Sequence, residues 1–229
     1  MIYSNYYKSI FYTDYMKTLV TGGAGFIGSW VVDYLLNHGK DVAVIDNLST
    51  GKRENVNKRA RFYELDIRDT KISEIFEKEK PDYVFHLAAQ MNIRKSIEDC
   101  VEDAGINILG SLNTLNNCVK HGVKKIIFSS SGGAIYGDGC KIPASEDEKE
   151  KPMSPYGIAK LSVEKYLRFF KKVKGLNHVS LRYGNVYGPR QDSKGEAGVV
   201  AIFIDNMLDG EKVKINGSGE QTRDFVYVK

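Results

Sequence analysis

Short apolar runs rich in β-formers alternate along this chain with longer segments whose apolar residues recur at helical spacing. "KTLVT" (Lys17 to Thr21), "DVAVID" (Asp41 to Asp46), "RFYELD" (Arg61 to Asp66), "DYVFHLA" (Asp82 to Ala88) and "KKIIFSS" (Lys124 to Ser130) read as strands one to five. A sixth strand opens "HVSLRYGNVYG", which runs on into a loop. Between the first two strands, Ile27, Val31, Leu35 and Leu36 share one face of a predicted helix over 25–38. The spacing predicts further helices over 106–122, closed by Gly122 as a C′ residue, and over 155–173, with Pro155 in the first turn. A last helix, "VVAIFIDNMLDG", precedes a short strand, "KVKIN". Strands that alternate with helices predict an α/β domain built on a parallel sheet.

Composition narrows the class without naming a partner. The 42% hydrophobic fraction of the 229 residues is that of a chain with a real core. A net charge of +4 is too mild to argue for nucleic acid, and "RFFKKVK" (168–174) reads as the solvated end of an amphipathic helix. Cys100, Cys118 and Cys140 are odd in number and widely spaced, with no His at metal-ligand spacing. They read as free thiols in a reducing cytoplasm, and no metal site is expected. No apolar run approaches the roughly 20 residues that cross a bilayer. The leader "MIYSNYYKSIFYTDY" (1–15) lacks the apolar core of a secretory signal, so it reads as a poorly ordered extension with Met16 as the functional start.

"TGGAGFIG" sets Gly22, Gly25 and Gly28 between strand one and its helix. Glycines there let the backbone approach a pyrophosphate, while the helix N-terminus offers free N–H groups and a positive dipole end. Asp46 closes strand two, where a carboxylate accepts hydrogen bonds from both hydroxyls of an adenosine ribose and repels a 2′-phosphate. NAD is therefore expected over NADP, although Lys52 and Arg53 follow closely. Asp66 reads either as a contact to the adenine amino group or as a cap for the next helix.

Tyr156 and Lys160 stand four residues apart, on one face of the predicted helix, a spacing that by itself also fits a surface pair. A tyrosine of ordinary pKa, about 10, is hardly ionised at neutral pH. An ammonium and a positive nicotinamide ring beside it would each lower that value by about 1 to 3 units, leaving a base able to take a proton from a hydroxyl group.

The glycine spacing, "HLAAQ" (86–90), "NILG" (107–110), the serine-rich loop "FSSSGGAIYG" (128–137), "YGIAK" (156–160) and "LRYGNVYGPRQ" (181–191) occur in one order. As a set they resemble the extended short-chain dehydrogenase/reductase family, the NAD-dependent epimerases and dehydratases, from about Met16 to the end of the chain. "GEAGVVAIF" (195–203) and "RDFVYV" (223–228) resemble in particular the UDP-glucose 4-epimerases. The resemblance implies a doubly wound parallel Rossmann sheet over 16–188, and over 189–229 part of a smaller sugar-nucleotide-binding domain. Family members run well past "RDFVYV", so the chain reads as truncated, its activity uncertain, with a homodimer expected of the full-length protein.

Further roles are implied by the same resemblance. Tyr156 and Lys160 would be the catalytic base and its partner, with Lys160 also on the nicotinamide ribose. Phe26, Ile27, Asn47, Ile67, Leu87, Ala88, Ala89, Gln90, Asn107, Ser129 and Tyr183 would line the NAD site. Ser130, Ser131, Asn185, Val199, Val200 and Arg223 would meet a UDP-sugar, Asn185 and Arg223 at its diphosphate and the valines at its uracil. The bridging hydroxyl falls to Ser131 in preference to Ser130, because Gly132 occupies the position four before Tyr136 where the family carries it.

Two departures matter. Dehydratases of this kind carry a glutamate two residues before the loop tyrosine; here Ala134 stands there, which favours 4-epimerisation over elimination. Met91 replaces a lysine of one epimerase branch. Other sugar-nucleotide epimerases, a 4,6-dehydratase and a catalytically silent NAD-binding module remain the alternatives.

Overall fold

The computed structural model describes residues 16–193, 198–215 and 217–229; the predicted leader, part of "GEAGVVAIF" and the end of "KVKIN" lie outside them. Six parallel strands form one sheet in the order β3-β2-β1-β4-β5-β6: β1 (Lys17–Thr21), β2 (Asp41–Asp46), β3 (Arg61–Glu64), β4 (Tyr83–His86), β5 (Lys125–Ser131) and β6 (Asn177–Tyr183). The chain winds outward from β1 to β3, then crosses back to β4 and winds the other way. Ligands of such sheets sit beyond the strand carboxyl ends at that reversal.

Both faces of the central strands are covered, which is why they read as unbroken apolar runs. Val20, Val42 and Val44 pack on Val32 and Leu35 of α1 (Phe26–Asn37). On the other face Leu19, Ile45, Val84, Ile126 and Phe128 meet α2 (Ile72–Glu79) through Ile75 and Phe76. The same cluster takes in the long helical stretch after α3 (Ile93–Glu98). That stretch begins as α4 (Cys100–Ala104), passes through wider π-type turns (Gly105–Gly110), and continues as α5 (Ser111–Lys120). The 20-residue α7 (Pro155–Lys174) completes this layer with Val163, Leu167 and Phe170.

Several expectations need correction. The third strand stops at Glu64 because its partner β2 ends at Asp46, so Asp66 lies in the following turn. The fourth stops at His86, although Leu87 N–H still reaches Thr21 O at 3.0 Å. "KVKIN" forms no strand over 212–215, where Ile215 is 60% exposed and no neighbouring strand pairs with it. The loop after β6 instead holds β7 (Asn185–Tyr187), paired in parallel with β8 (Phe225–Tyr227). A one-turn helix, α6 (Gly132–Ile135), follows β5, and α8 (Val199–Leu208) lies on the surface with none of its residues buried. Among the described residues no helix is long and apolar enough to cross a membrane, and no His/Cys/Asp/Glu cluster could hold a metal.

Candidate active site

The turn from β1 into α1 tolerates no side chain at two positions. Gly22 has φ +75°, its N–H donates to Ile45 O at 2.8 Å, and a Cβ there would lie 2.5 Å from the Ala88 nitrogen. At Gly28 a Cβ would lie 2.1 Å from Gly22 O. Gly25 caps α1 with no side-chain hydrogen bond, so the first-turn N–H groups at Phe26, Ile27 and Gly28 are left to an outside acceptor. Such a cradle suits a phosphate.

Asp46 sits at the rim, 7% exposed, and receives Ala24 N–H at 2.9 Å and Leu48 N–H at 2.8 Å, one on each oxygen. Burial raises its pKa, and the two N–H donors oppose that rise. Each carboxylate oxygen keeps a further acceptor site, as a ribose diol requires. Arg53 stacks on Phe62, 3.9 Å from the ring centre. Asn47 donates to Asp66 at 2.8 Å, while Arg68 pairs with the same carboxylate and lowers its pKa. Ile67, an expected cofactor contact, packs in the main core at 5% exposure.

Beyond β4, Gln90 and Asn107 lock together: Gln90 N–H donates to Asn107 Oδ1 at 2.9 Å, and Asn107 Nδ2 returns a bond to Gln90 O at 2.8 Å. Leu87, Ala88 and Ala89, all half-buried, lie between this lock and the glycine turn.

Ser154 caps α7 by accepting Gly157 N–H at 3.1 Å, with Pro155 in the first turn, and this sets the start of the helix that carries Tyr156 and Lys160. Tyr156 is half-buried, and its N–H reaches Ser96 Oγ at 3.3 Å. Lys160, 4% exposed, donates to Ser129 O at 2.8 Å, and its Nζ lies 5.6 Å from the centre of the Tyr156 ring. Burial pushes the ammonium down to about 8. Tyr183 shares a side-chain hydrogen bond with Ser129, and burial raises its hydroxyl pKa.

The three serines divide by strand alternation. Ser130, 4% exposed, gives its hydroxyl to Glu164 at 2.6 Å, and Glu164 is clasped by Arg182 at 2.7 Å. Ser129 and Ser131 are half-buried on the opposite side, and Ser131 Oγ accepts Ala134 N–H at 3.2 Å as the cap of α6. Further along, Asn185 binds Asp224 O through its own N–H at 2.7 Å, which places it beside exposed Arg223. Val199 and Val200 begin α8, the first exposed and the second half-buried.

Three groups escaped the sequence reading. Arg182 joins Glu164 to Glu150 and the Tyr136 hydroxyl. Asp103 is buried beside Asn107. A hydrogen-bond chain also crosses the sheet through His86, whose place in "HLAAQ" was its only signal in the sequence. Ser111 spends its one hydrogen on Asn107 O at 2.6 Å, so His86 Nε2 must donate to Ser111 Oγ at 2.9 Å. Nδ1 then accepts from Thr21 Oγ1 at 2.7 Å, and Thr21 in turn accepts Ala88 N–H at 3.4 Å.

Burial drives the His86 pKa down to about 3, with the Lys160 charge adding to the shift. An unfolded histidine titrates near 6.5, so this ring favours the folded state above that pH and the contribution is lost as pH falls toward about 3. Nitrogen-15 NMR should show the neutral, Nε2-protonated ring at pH 5; a second proton bound near pH 6.5 would contradict the chain.

A doubly wound sheet with a glycine cradle at its reversal point, and a tyrosine–lysine pair beside the fifth strand, define a dinucleotide-binding α/β protein. The chain belongs to the NAD dependent epimerase/dehydratase family, whose model matches residues 18–229. A UDP-glucose 4-epimerase of Mycolicibacterium smegmatis is 42% identical, over 93% of this chain and 70% of its own length. The crystal structure of a Thermotoga maritima UDP-glucose 4-epimerase with UDP-glucose is 57% identical, with a TM-score of 0.91, over 93% of this chain and 70% of that one. That of a Thermus thermophilus UDP-glucose 4-epimerase with NAD is 50% identical, with a TM-score of 0.87, over 93% and 71%.

Proposed function

We propose that this protein epimerises a nucleotide sugar at C4, interconverting UDP-glucose and UDP-galactose with NAD. The observation that carries the reading is the Lys160 ammonium, buried and 5.6 Å from the Tyr156 ring, beside a loop with Ala134 at the dehydratases' acid position. The solved relatives named above, one with UDP-glucose and one with NAD, support it.

NAD, when bound, supplies a nicotinamide ring that accepts and returns hydride. The glycine turn and the start of α1 would hold its pyrophosphate, and Asp46 its adenosine ribose. Tyr156 would take the proton of the sugar 4-hydroxyl as C4 is oxidised, and return it to the same oxygen as C4 is reduced from its other face. Lys160 stabilises the phenolate by charge. Ser131, free of the Glu164 network that engages Ser130, bridges the hydroxyl and Tyr156. Asn185, Arg223, Val199 and Val200 would seat the UDP moiety, residues 189–229 forming its part of the site beside a cofactor unit over 16–188. Purified protein given NAD and UDP-glucose should yield UDP-galactose by chromatography; turnover with no galactose epimer would refute the reading.

With Asp46 at the ribose, NAD should bind at least tenfold more tightly than NADP, about 1.4 kcal/mol. Titration of cofactor-free protein giving equal or tighter NADP binding would overturn that role.

We place the protein in the cytoplasm, in keeping with its three free cysteines. We also propose a homodimer, formed by the outward face of α7. Ile158, Tyr166, Phe169 and Val173 are 40–57% exposed there, and Leu109 is 63% exposed on the neighbouring helix. Phe169→Glu should leave a monomer by light scattering after gel filtration; an unchanged dimer would move the interface elsewhere.

A further inference from the structure

Asp103 is a carboxylate with almost no access to water, 2% exposed, on the helical stretch that leads into Asn107. Its Oδ1 accepts two amide bonds, from Asn107 Nδ2 at 2.9 Å and Gln90 Nε2 at 3.0 Å. Its Oδ2 is buried and has no hydrogen-bond partner. Two amide donors need only a carbonyl oxygen, which an asparagine would supply as well. The negative charge is surplus to that clamp, and burying it unpaired is costly.

Lys160 is the matching cation. It is 4% exposed, spends one of its three hydrogens on Ser129 O, and lies on α7, which packs against α4. Each of the two groups favours the charged form of the other against the burial that opposes both. The other groups around the lysine offer it no anion. His86 of β4 is neutral, and Tyr156 on the same helix is the group the lysine serves. Ser96 of α3 and Asn107 of the π-type turns are uncharged, α6 has no titratable side chain, and β5 contributes a carbonyl. Glu164, one turn along α7, is taken by Ser130 and by Arg182 of β6, while Tyr183 of β6 bonds Ser129.

We propose that Asp103 is a positioning residue for the Tyr156–Lys160 pair: the buried counter-charge that keeps Lys160 an ammonium while it holds Gln90 and Asn107 in place. It acts on the proton taken by Tyr156 only through Lys160. The inference rests on the role given above to Tyr156 and Lys160, but its test reads a charge and not a product, so the two readings fail separately.

The test is a pH titration of protein labelled with ε-¹³C lysine, the Lys160 signal being assigned by its loss in Lys160→Met. Asp103→Asn keeps the oxygen that Gln90 and Asn107 need and removes only the charge. The Lys160 midpoint should fall by about one pH unit, the low end of the effect of a nearby opposite charge; an unchanged midpoint would overturn the proposal. Should Asp103→Asn fail to fold, the reciprocal arm decides. In Lys160→Met labelled at the aspartate carboxyl carbons, the Asp103 midpoint must rise by a similar amount, because coupling between two sites is mutual. A carboxyl that titrates as in the wild type would equally overturn it. A purely structural aspartate would move neither midpoint.

Discussion

Tyr156→Phe should lower turnover of UDP-glucose at least 100-fold while leaving NAD affinity within about twofold, the pattern of a lost general base. The ring stays, so the packing above Lys160 is kept, with Nζ 5.6 Å from the ring centre. Only the hydroxyl proposed to take the substrate proton is removed. Steady-state kinetics beside a cofactor titration separate the two effects, and near-normal turnover would remove Tyr156 from the chemistry. The neighbouring serines give a finer comparison. Ser131→Ala should cost more turnover than Ser130→Ala, whose hydroxyl bonds Glu164 at 2.6 Å and whose loss should appear mainly as lowered stability.

Gly28→Ala should abolish measurable NAD binding through a single methyl group. That methyl would sit 2.1 Å from Gly22 O, and Gly22 cannot yield: its N–H is tied to Ile45 O at 2.8 Å and its own Cα faces the Ala88 backbone. The turn must open, and the first-turn N–H groups of α1 no longer converge on a phosphate. Gly105→Ala is the control, because a Cβ there meets only Glu102 Oε2, at 3.9 Å. Calorimetric titration with NAD should show binding in the control and none in Gly28→Ala; equal affinity would mean that the glycine turn does not hold the cofactor.

The sheet was legible where burial on both faces left an unbroken apolar signal. β1 and β2 begin and end where "KTLVT" and "DVAVID" do. α7 starts at Pro155, a residue whose place in the first turn is local enough to read directly, and the structure adds Ser154 as its cap. By contrast α2 was expected only as an unbounded helix after Asp66, although Ile72, Ile75, Phe76 and Glu79 are buried at helical spacing; eight residues give too few repeats to set its ends. The π-type turns between α4 and α5 have no sequence signature. "KVKIN" misled because alternation predicts a half-buried strand only if another strand lies beside it.

In the candidate site, the residues that the sequence could single out are those whose proposed chemistry depends on local spacing: the three glycines, and Tyr156 with Lys160. Those that it could not single out depend on distant partners. Nothing within ten residues of Asp103 announces Lys160, and nothing near Thr21 announces His86 or Ser111. The serines show both cases. Gly132 pointed to Ser131 over Ser130 through the spacing of the resembling family, whereas the bond that engages Ser130 comes from Glu164, 34 residues on.

The central claim is that the oxidised sugar regains its hydride and does not lose water. It rests on Ala134, whose methyl side chain can neither donate nor accept a proton and whose N–H is spent on Ser131 Oγ at 3.2 Å. Mass spectrometry of the product formed from UDP-glucose tests it most directly. The account predicts a product of unchanged mass that separates as UDP-galactose; a dominant product lighter by one water would contradict it and require an acid elsewhere in the chain.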